Sequence, residues 1–171
     1  MQVLNKILVT GGLGFIGRHI TCLLIDKGYE VVVIDNLINS NKKIIKNIEK
    51  ITSTNLNFIE LDITNQSLLN NFFNENSFDT IVHLAALKSV EDSIKKPIDY
   101  FENNVGGLIS ILKNVKKHNI RNFVFSSSAT VYGVDNTPPF TEKMKIGSTS
   151  NPYGDSKLFC ENIIDRFYSI N

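Results

Sequence analysis

Tyr153 and Lys157 lie four residues apart in the segment NPYGDSK, near the carboxyl end of a chain of 171 residues. In a helix this spacing places both side chains on one face. A phenol with an ordinary pKa of about 10 is a poor base at neutral pH, but a neighbouring ammonium group or a cationic ring favours its ionised form. The pair therefore indicates a general base, with Lys157 as an electrostatic partner rather than a nucleophile. A lone Y-x-x-x-K spacing also arises often by chance, so its meaning depends on the residues around it.

Three consecutive serines, at positions 126–128, follow the apolar run NFVF. Hydroxyl groups pack poorly at the end of an apolar strand, but they can hold the oxygen of a substrate. The segment HLAALKS, at positions 83–89, ends another apolar run with small residues that let a flat cofactor pass close to the backbone. We predict that His83 in this segment is a packed strand residue rather than a catalytic one.

Glycines recur in the segment LVTGGLGFIG, at residues 8–17. Gly11, Gly14 and Gly17 fit a turn from strand to helix. Such a turn needs positive φ, close approach of a pyrophosphate to the backbone, and close packing of the helix. The N–H groups and positive dipole at the start of the helix then bind phosphates. The spacing therefore predicts dinucleotide binding, with a plain structural turn as the alternative.

Two aspartates follow apolar runs where a dinucleotide site needs polar groups. Asp35 lies 18 residues after Gly17 and can accept hydrogen bonds from the adenosine ribose. This favours NAD over NADP, because a carboxylate repels a 2′-phosphate. The alternative for Asp35 is a helix N-cap or turn residue, and Asp62 can either reach the adenine or cap the next turn. Arg18 lies within the predicted first helix, so we do not take it as evidence for NADP.

Alternating strands and helices must position these residues. Apolar runs predict strands at residues 6–10, 30–34, 57–61, 80–84 and 122–126. Apolar residues at helical spacing predict helices after the glycine turn, at 67–73, at 98–117 and from Pro152 onward. The strands are continuously apolar, as expected of a parallel sheet that is covered on both faces. The chain is therefore predicted to be α/β, with a doubly wound parallel sheet.

Charge and composition argue against several classes of function. Lys and Arg number 18 and Asp and Glu number 17, so the basic surplus of nucleic-acid binders is missing. No apolar run reaches the ~18 residues of a membrane-spanning helix, and the first residues do not resemble a signal peptide. Cys22 and Cys160 are expected to be reduced core thiols rather than a disulfide or metal ligands. We therefore expect a cytoplasmic protein without a metal site, a nucleic-acid partner or a membrane association.

The motifs together resemble the extended short-chain dehydrogenase/reductase superfamily, and within it the UDP-glucose (UDP-galactose) 4-epimerase family. The resemblance runs from about Lys6 to the last residue. It rests on VTGGLGFIGRH, VVVIDNLINS, ELDI, HLAALKSVEDSIKKPIDYFENNV, FVFSSSATVYG and NPYGDSK. Related nucleotide-sugar 4,6-dehydratases usually carry an Asp-Glu pair where this chain has Ala129 and Thr130, so the resemblance disfavours dehydration.

The resemblance implies a Rossmann-like domain that binds NAD and a UDP-sugar substrate. It makes Tyr153 the catalytic base, Lys157 its catalytic partner and Ser128 a catalytic hydroxyl beside the sugar. Lys88, Ser128 and Tyr153 are the implied substrate contacts. The implied reaction moves hydride from C4 of the sugar onto NAD⁺ while Tyr153 takes the hydroxyl proton, and then returns hydride to the other face of the 4-keto sugar. The implied cofactor contacts are Gly11, Gly14, Phe15, Ile16, Gly17, Asp35, Asn36, Leu37, Asn39, Ser40, Asp62, Ile63, Leu84, Ala85, Ala86, Lys88, Asn103, Tyr153 and Lys157.

Members of this family are longer than this chain, which ends 14 residues after Lys157. We therefore expect residues 1–171 to form an NAD-binding domain without the C-terminal substrate domain, with impaired activity alone. The resemblance also implies a homodimer of the full-length form, joined through helices at 98–117 and 153–169. The apolar stripes of these helices fit packing on the chain's own sheet equally well.

Two alternatives to this function stay open. One is another nucleotide-sugar enzyme of the same superfamily, such as a UDP-N-acetylhexosamine epimerase or a decarboxylase. The other is a catalytically silent NAD-binding module.

Overall fold

The computed structural model describes residues 6–170 of the chain. Its strands are β1 (Lys6–Thr10), β2 (Glu30–Asp35), β3 (Asn57–Glu60), β4 (Thr80–His83) and β5 (Asn122–Phe125). Its α-helices are α1 (Phe15–Asp26), α2 (Lys43–Thr52), α3 (Gln66–Glu75), α4 (Val90–Lys95), α5 (Pro97–Tyr100), α6 (Gly107–Lys117) and α7 (Pro152–Ile170). A π-helical segment (Phe101–Gly106) joins α5 to α6, and a short 3₁₀ turn (Ala129–Tyr132) follows β5.

The five strands form one parallel sheet in the order β3-β2-β1-β4-β5. The chain builds outward from β1 through β2 and β3, and then returns to the other side of β1 for β4 and β5. The strand order therefore reverses between β1 and β4, which is where open α/β sheets bind ligands beyond the carboxyl ends of their strands. This topology confirms the predicted doubly wound α/β fold.

The predicted strands all form, with small differences at their ends. β1 has the predicted bounds, β2 extends by one residue to Asp35, and β3, β4 and β5 each end one residue earlier than predicted. α3 is longer than the predicted 67–73, and Asn65 caps its start by accepting a hydrogen bond from Leu68 N at 3.1 Å. The apolar spacing in the sequence does not by itself predict helices α2 and α4.

The strands at the centre of the sheet are buried on both faces. Leu8 pairs in register with Val32, and Val9 pairs with Val33 on the opposite face. None of these four side chains is exposed. Burying each such side chain contributes about 1.5–3 kcal/mol, so the sheet supplies a rigid base for the residues that follow its strands.

The helical stretch after Pro97 is not the single regular helix that the apolar repeat predicts. Its middle part, Phe101–Gly106, is π-helical and places the polar Asn104 in a buried position. The Asn104 amide donates to Leu87 O at 3.0 Å and accepts from Leu87 N at 2.8 Å. A π segment adds one residue to the turn and is common at functional sites. Here it turns Asn104 toward these backbone partners.

The described chain divides into two compact units. The first contains the sheet and comprises the described residues up to Ala85 together with Ser110–Ser126. The second comprises Ala86–Ile109 and residues 127–170, with α4, α5, the π segment, the 3₁₀ turn and α7. That residues 1–171 act as one NAD-binding domain stays a prediction. Within residues 6–170, no helix has both the length and the apolarity needed to cross a membrane.

Candidate functional site

Gly11 immediately follows β1 in a conformation that favours glycine, with φ of +68°. Its N–H donates to Ile34 O at 2.8 Å, and its carbonyl accepts from Gly14 N at 3.1 Å. A Cβ on Gly11 would lie 2.7 Å from the Cα and N atoms of Ala85. Two constraints therefore require glycine at position 11. One is the backbone conformation of the turn, and the other is the close approach of the chain that follows β4.

The other glycines of the turn are needed for packing. A Cβ on Gly17 would overlap the carbonyl oxygen of Gly11 and lie 2.7 Å from Gly12 Cα, so the first turn of α1 packs directly on the glycine loop. A Cβ on Gly14 would lie 3.2 Å from the Gly11 oxygen. Gly12, which the G-x-x-G-x-x-G spacing does not include, would place a Cβ 2.6 Å from Val33 Cγ1. The Gly11-Gly12 pair in the sequence is the signal from which this requirement could be predicted.

The start of α1 suits a negatively charged ligand. Gly14 is its N-cap, without a side-chain capping bond, and the first turn carries no acidic residue. The first N–H groups of a helix have no intrahelical partner and lie at the positive end of its dipole. Phe15 and Ile16 expose more than half of their side-chain area beside this end. The Arg18 guanidinium lies over the Phe15 ring at 4.9 Å.

Asp35 lies at the end of β2 and organises the loops around it. Its carboxylate accepts hydrogen bonds from Leu13 N at 3.1 Å, Leu37 N at 2.9 Å and Ser40 Oγ at 2.8 Å. Leu37 takes a left-handed conformation, with φ of +63°, that these bonds support. A carboxylate has about four acceptor sites, so these three bonds leave Asp35 with capacity for about one more.

Asp62 caps the turn that follows it, which is one of the two roles that the sequence allows for this residue. It accepts from Thr64 Oγ1 at 2.6 Å, Thr64 N at 2.8 Å and Asn36 Nδ2 at 3.1 Å. Burial raises the pKa of this carboxyl, but the bonds from Thr64 and Asn36 outweigh it and leave the pKa below its ordinary value. The bond to Asn36 links the loops after β2 and β3. Ile63 beside it is buried, and Asn39 is exposed.

His83 is a packed strand residue, as predicted, since it is 1% exposed at the end of β4. The next residue, Leu84, donates its N–H to Thr10 O at 3.1 Å. Leu84 and Ala85 therefore continue beside β1 to the glycine turn. The first unit in this way brings together the predicted contacts of the glycine turn, of the loops after β2 and β3, and of the end of β4.

The second unit holds the predicted acid–base residues on α7. This helix begins at Pro152, and the preceding Asn151 accepts a hydrogen bond from Gly154 N at 2.9 Å. Tyr153 lies in its first turn, where the buried Tyr100 ring packs edge-on against it at a centroid distance of 6.4 Å. Lys157 lies one turn later and is 4% exposed.

Burial lowers the pKa of Lys157 to about 8, although the nearby Cys160 and Glu161 oppose this shift. Burial also raises the pKa of the Cys160 thiol to about 11, so this thiol is un-ionised at neutral pH. Cys22 and Cys160 are both free, and Cys22 is only partly buried. Lys157 thus loses its charge just above neutral pH, where an ordinary lysine keeps it.

Ser128 immediately precedes the 3₁₀ turn and caps it. Its Oγ accepts hydrogen bonds from Thr130 N at 3.3 Å and Thr130 Oγ1 at 3.0 Å. Because Ser128 is the acceptor in both bonds, its own proton can be donated to a substrate oxygen. The hydroxyl of the neighbouring Ser127 is buried and has no hydrogen-bond partner among the described residues.

Asn104, which the sequence analysis does not single out, lies among the other predicted contacts of the second unit. Asn103 donates to the side chain of Asn104 at 2.9 Å, and Asn104 donates to Ser156 Oγ at 2.9 Å. Asn104 also holds Leu87, whose neighbours Ala86 and Lys88 are predicted contacts. A polar residue inside an apolar helical repeat was the available signal. Among residues 6–170, no group of His, Cys, Asp and Glu side chains is arranged to hold a metal ion.

Comparison with known proteins places this geometry in a family. Residues 8–170 match the family model described as GDP-mannose 4,6 dehydratase. The chain belongs to this family. The family description names a dehydratase, whereas similar relatives are named epimerases, so membership alone does not decide the reaction.

Among these relatives is the UDP-glucose 4-epimerase of Yersinia enterocolitica, which is 45% identical over 162 residues, or 95% of this chain and 48% of the relative. The crystal structure of UDP-glucose 4-epimerase from Bifidobacterium longum in complex with NAD⁺ and UDP superposes with a TM-score of 0.94. It is 42% identical and covers 97% of this chain and 50% of that chain. The UDP-Glc/GlcNAc 4-epimerase of Campylobacter jejuni gives a TM-score of 0.92 at 31% identity, over 98% of this chain and 50% of that chain.

These comparisons confirm the resemblance to UDP-glucose 4-epimerases and the Rossmann-like fold. The chain spans about half the length of the curated relatives it matches.

Proposed function

We propose that this chain binds NAD and carries the acid–base residues of a UDP-glucose 4-epimerase, an isomerase of nucleotide sugars. The observation that carries the proposal is the glycine turn at the start of a five-stranded parallel sheet, in a chain with 42% identity to an epimerase crystallised with NAD⁺ and UDP. The Tyr153 and Lys157 pair on α7 supports the catalytic part of the proposal.

The first unit offers groups that fit successive parts of a dinucleotide. The uncapped start of α1, with Phe15 and Ile16 in its first turn, suits the pyrophosphate. Asp35 keeps acceptor capacity for the adenosine ribose, and a carboxylate there disfavours NADP. When bound, NAD would supply the acceptor and donor of the hydride at C4 of the sugar. Further proposed contacts of NAD are Asn36, Leu37, Asn39, Ser40, Asp62, Ile63, Leu84 and Ala85 from the first unit, and Ala86, Lys88, Asn103, Tyr153 and Lys157 from the second.

The second unit offers the groups that would handle the proton. Tyr153 would take the proton of the sugar hydroxyl, and the Ser128 hydroxyl would donate a hydrogen bond to the same oxygen. The ammonium form of Lys157 would stabilise the phenolate of Tyr153. Because the pKa of Lys157 is lowered to about 8, this stabilisation would depend on pH near neutrality. Lys88 is exposed after β4 and would contact the UDP-sugar.

Residues 129 and 130 favour epimerisation over dehydration. The related 4,6-dehydratases usually carry an Asp-Glu pair where this chain has Ala129 and Thr130, in the 3₁₀ turn, so the resemblance disfavours the elimination of water. A second candidate substrate is a UDP-N-acetylhexosamine, because the Campylobacter jejuni neighbour is named for both UDP-Glc and GlcNAc. Assays with both UDP-sugars distinguish these two candidates.

Replacing Tyr153 tests the proposal. We expect Tyr153→Phe to retain NAD binding in calorimetry and to lose UDP-galactose conversion by about 10²-fold or more. The matched control is Tyr168→Phe, which removes a hydroxyl from the same helix at an exposed site. Folded wild-type protein that takes up no NAD contradicts the proposal. Uptake of NAD without conversion of any UDP-sugar, even after a separately produced C-terminal half of an epimerase is added, supports the silent NAD-binding module instead.

We also propose that the full-length form is a cytoplasmic homodimer. Apolar side chains on helices of the second unit support this, since Ile94 and Ile98 are each 63% exposed and Phe159 is 48% exposed. The free thiols of Cys22 and Cys160 are consistent with a reducing compartment. Sedimentation of wild-type protein and Phe159→Asp tests the dimer, because an unchanged association state in the variant contradicts this surface.

A further inference from the structure

Thr10 and His83 are the last residues of β1 and β4, and they face each other inside the first unit. They pair in register, and Thr10 Oγ1 lies 2.7 Å from His83 Nδ1. Both side chains are buried, at 0% and 1% exposure. The imidazole is stacked with the rings of Phe123 and Phe125 of β5, at centroid distances of 5.9 and 6.0 Å. These rings restrict the orientation of the imidazole and therefore the position of Nδ1.

The Thr10 hydroxyl also contacts the main chain that follows β4. The N–H of Ala85 donates to Thr10 Oγ1 at 3.3 Å, so the oxygen is an acceptor in that bond. The hydroxyl is also hydrogen-bonded to His83 Nδ1 at 2.7 Å, and the tautomer of the imidazole decides which of the two atoms donates. With the imidazole proton on Nε2, the Thr10 hydroxyl donates to Nδ1 while it accepts from Ala85. Hydrogen bonds then run in one direction, from Ala85 through Thr10 to His83.

These bonds hold the backbone that packs against the glycine turn. The Leu84 N–H donates to Thr10 O at 3.1 Å, and Ala85 lies so near Gly11 that a Cβ there would be 2.7 Å from Ala85 Cα. We propose that Thr10 and His83 are positioning residues, which fix the backbone of Leu84 and Ala85 beside the glycine turn and so shape the NAD site. This inference rests on the proposed function, because Leu84 and Ala85 are proposed contacts of NAD.

Two threonine substitutions test the role of the hydroxyl. Thr10→Val keeps the shape of the side chain and removes the hydroxyl, whereas Thr10→Ser keeps the hydroxyl. The matched control is Thr21→Val, because Thr21 is also 0% exposed and its hydroxyl has no hydrogen-bond partner among the described residues. We expect Thr10→Val to weaken NAD binding by about tenfold, the effect of losing one buried hydrogen bond. We expect Thr10→Ser and Thr21→Val to bind NAD like the wild type.

A double-mutant cycle tests whether the two residues act together. His83→Phe keeps a ring beside Phe123 and Phe125 and removes the ring nitrogen that contacts Thr10. If the pair is one positioning unit, adding His83→Phe to Thr10→Val weakens NAD binding no further. If the double variant instead weakens NAD binding by the product of the two single factors, the two residues do not act as one unit and the inference of a pair is overturned.

A measurement without NAD tests the hydrogen bonds and separates the two hypotheses. In nuclear magnetic resonance, we expect the Nδ1 of His83 to be unprotonated, and the Ala85 amide to exchange faster in Thr10→Val than in wild-type protein. A protonated Nδ1, or equal exchange rates, overturns the inference even if NAD binds. Wild-type protein that binds no NAD overturns the proposed function and the cofactor role of the pair. Equal NAD affinity of wild-type protein and Thr10→Val overturns the positioning role alone.

Discussion

Lys157 provides a quantitative prediction, because the fold holds a lysine with a lowered pKa in a buried position. Its pKa falls from 10.5 to about 8 through burial. Between these two values the unfolded chain binds more protons at this site than the folded chain does. The free energy of unfolding therefore rises with pH through this window, since the slope follows the difference in bound protons.

The size of this effect follows from the two pKa values. Each unit of pKa difference corresponds to about 1.4 kcal/mol, so the full window corresponds to about 3 kcal/mol. Between about pH 7 and about pH 9.5, the contribution of Lys157 amounts to about 2 kcal/mol. Lys157→Met has no titrating group at this position and lacks this contribution.

Urea denaturation of the wild type and of Lys157→Met, near the two ends of this range, measures the effect without NAD. From about pH 7 to about pH 9.5, we expect the free energy of unfolding of the wild type to rise by about 2 kcal/mol relative to that of the variant. Lys95→Met is the control, because Lys95 is exposed on α4 and pairs with Glu91 at the surface. If wild-type protein and Lys157→Met respond equally to pH, the reasoning from the burial of Lys157 is refuted.

Three further substitutions test the rest of the site. Gly17→Ala forces a Cβ into the glycine loop, so we expect denaturant unfolding to show a loss of about 3 kcal/mol or more. Gly106→Ala, whose Cβ would lie 4.0 Å from its nearest neighbour, should cost little, and similar losses for both would refute the packing argument. Asp35→Asn should weaken NAD binding by about tenfold in calorimetry, and unchanged affinity would refute the ribose assignment. Asn104→Ala leaves both backbone groups of Leu87 unpaired and should cost about 2 kcal/mol or more, whereas an unchanged unfolding midpoint would show that these bonds contribute nothing.

The strands and the glycine turn could be predicted because their causes are local. An apolar run ended by glycine, such as the one before Gly11, indicates a buried strand whatever surrounds it. The requirement for Gly17 also follows from a spacing that reflects one strand, one turn and one helix. The doubly wound topology then follows from alternating strands and helices.

The remaining features depend on contacts that the sequence does not encode locally. The π segment forms around Asn104, whose partners Leu87 and Ser156 are 17 and 52 residues away along the chain. The capping roles of Ser128 and Asp62 depend on where the following turns place Thr130 and Thr64. Contact roles implied by resemblance, such as those of Asn39 and Lys88, stay predictions.

The strand β5 lies at one end of the sheet order, and within residues 6–170 it pairs only with β4. Val124 in the middle of this strand is 53% exposed. Strands at the end of a sheet can recruit further strands, either from the same polypeptide or from neighbouring molecules. A sample consisting of these residues alone would consequently be expected to self-associate along β5, and a short peptide designed to extend the sheet there should act as a solubilising partner.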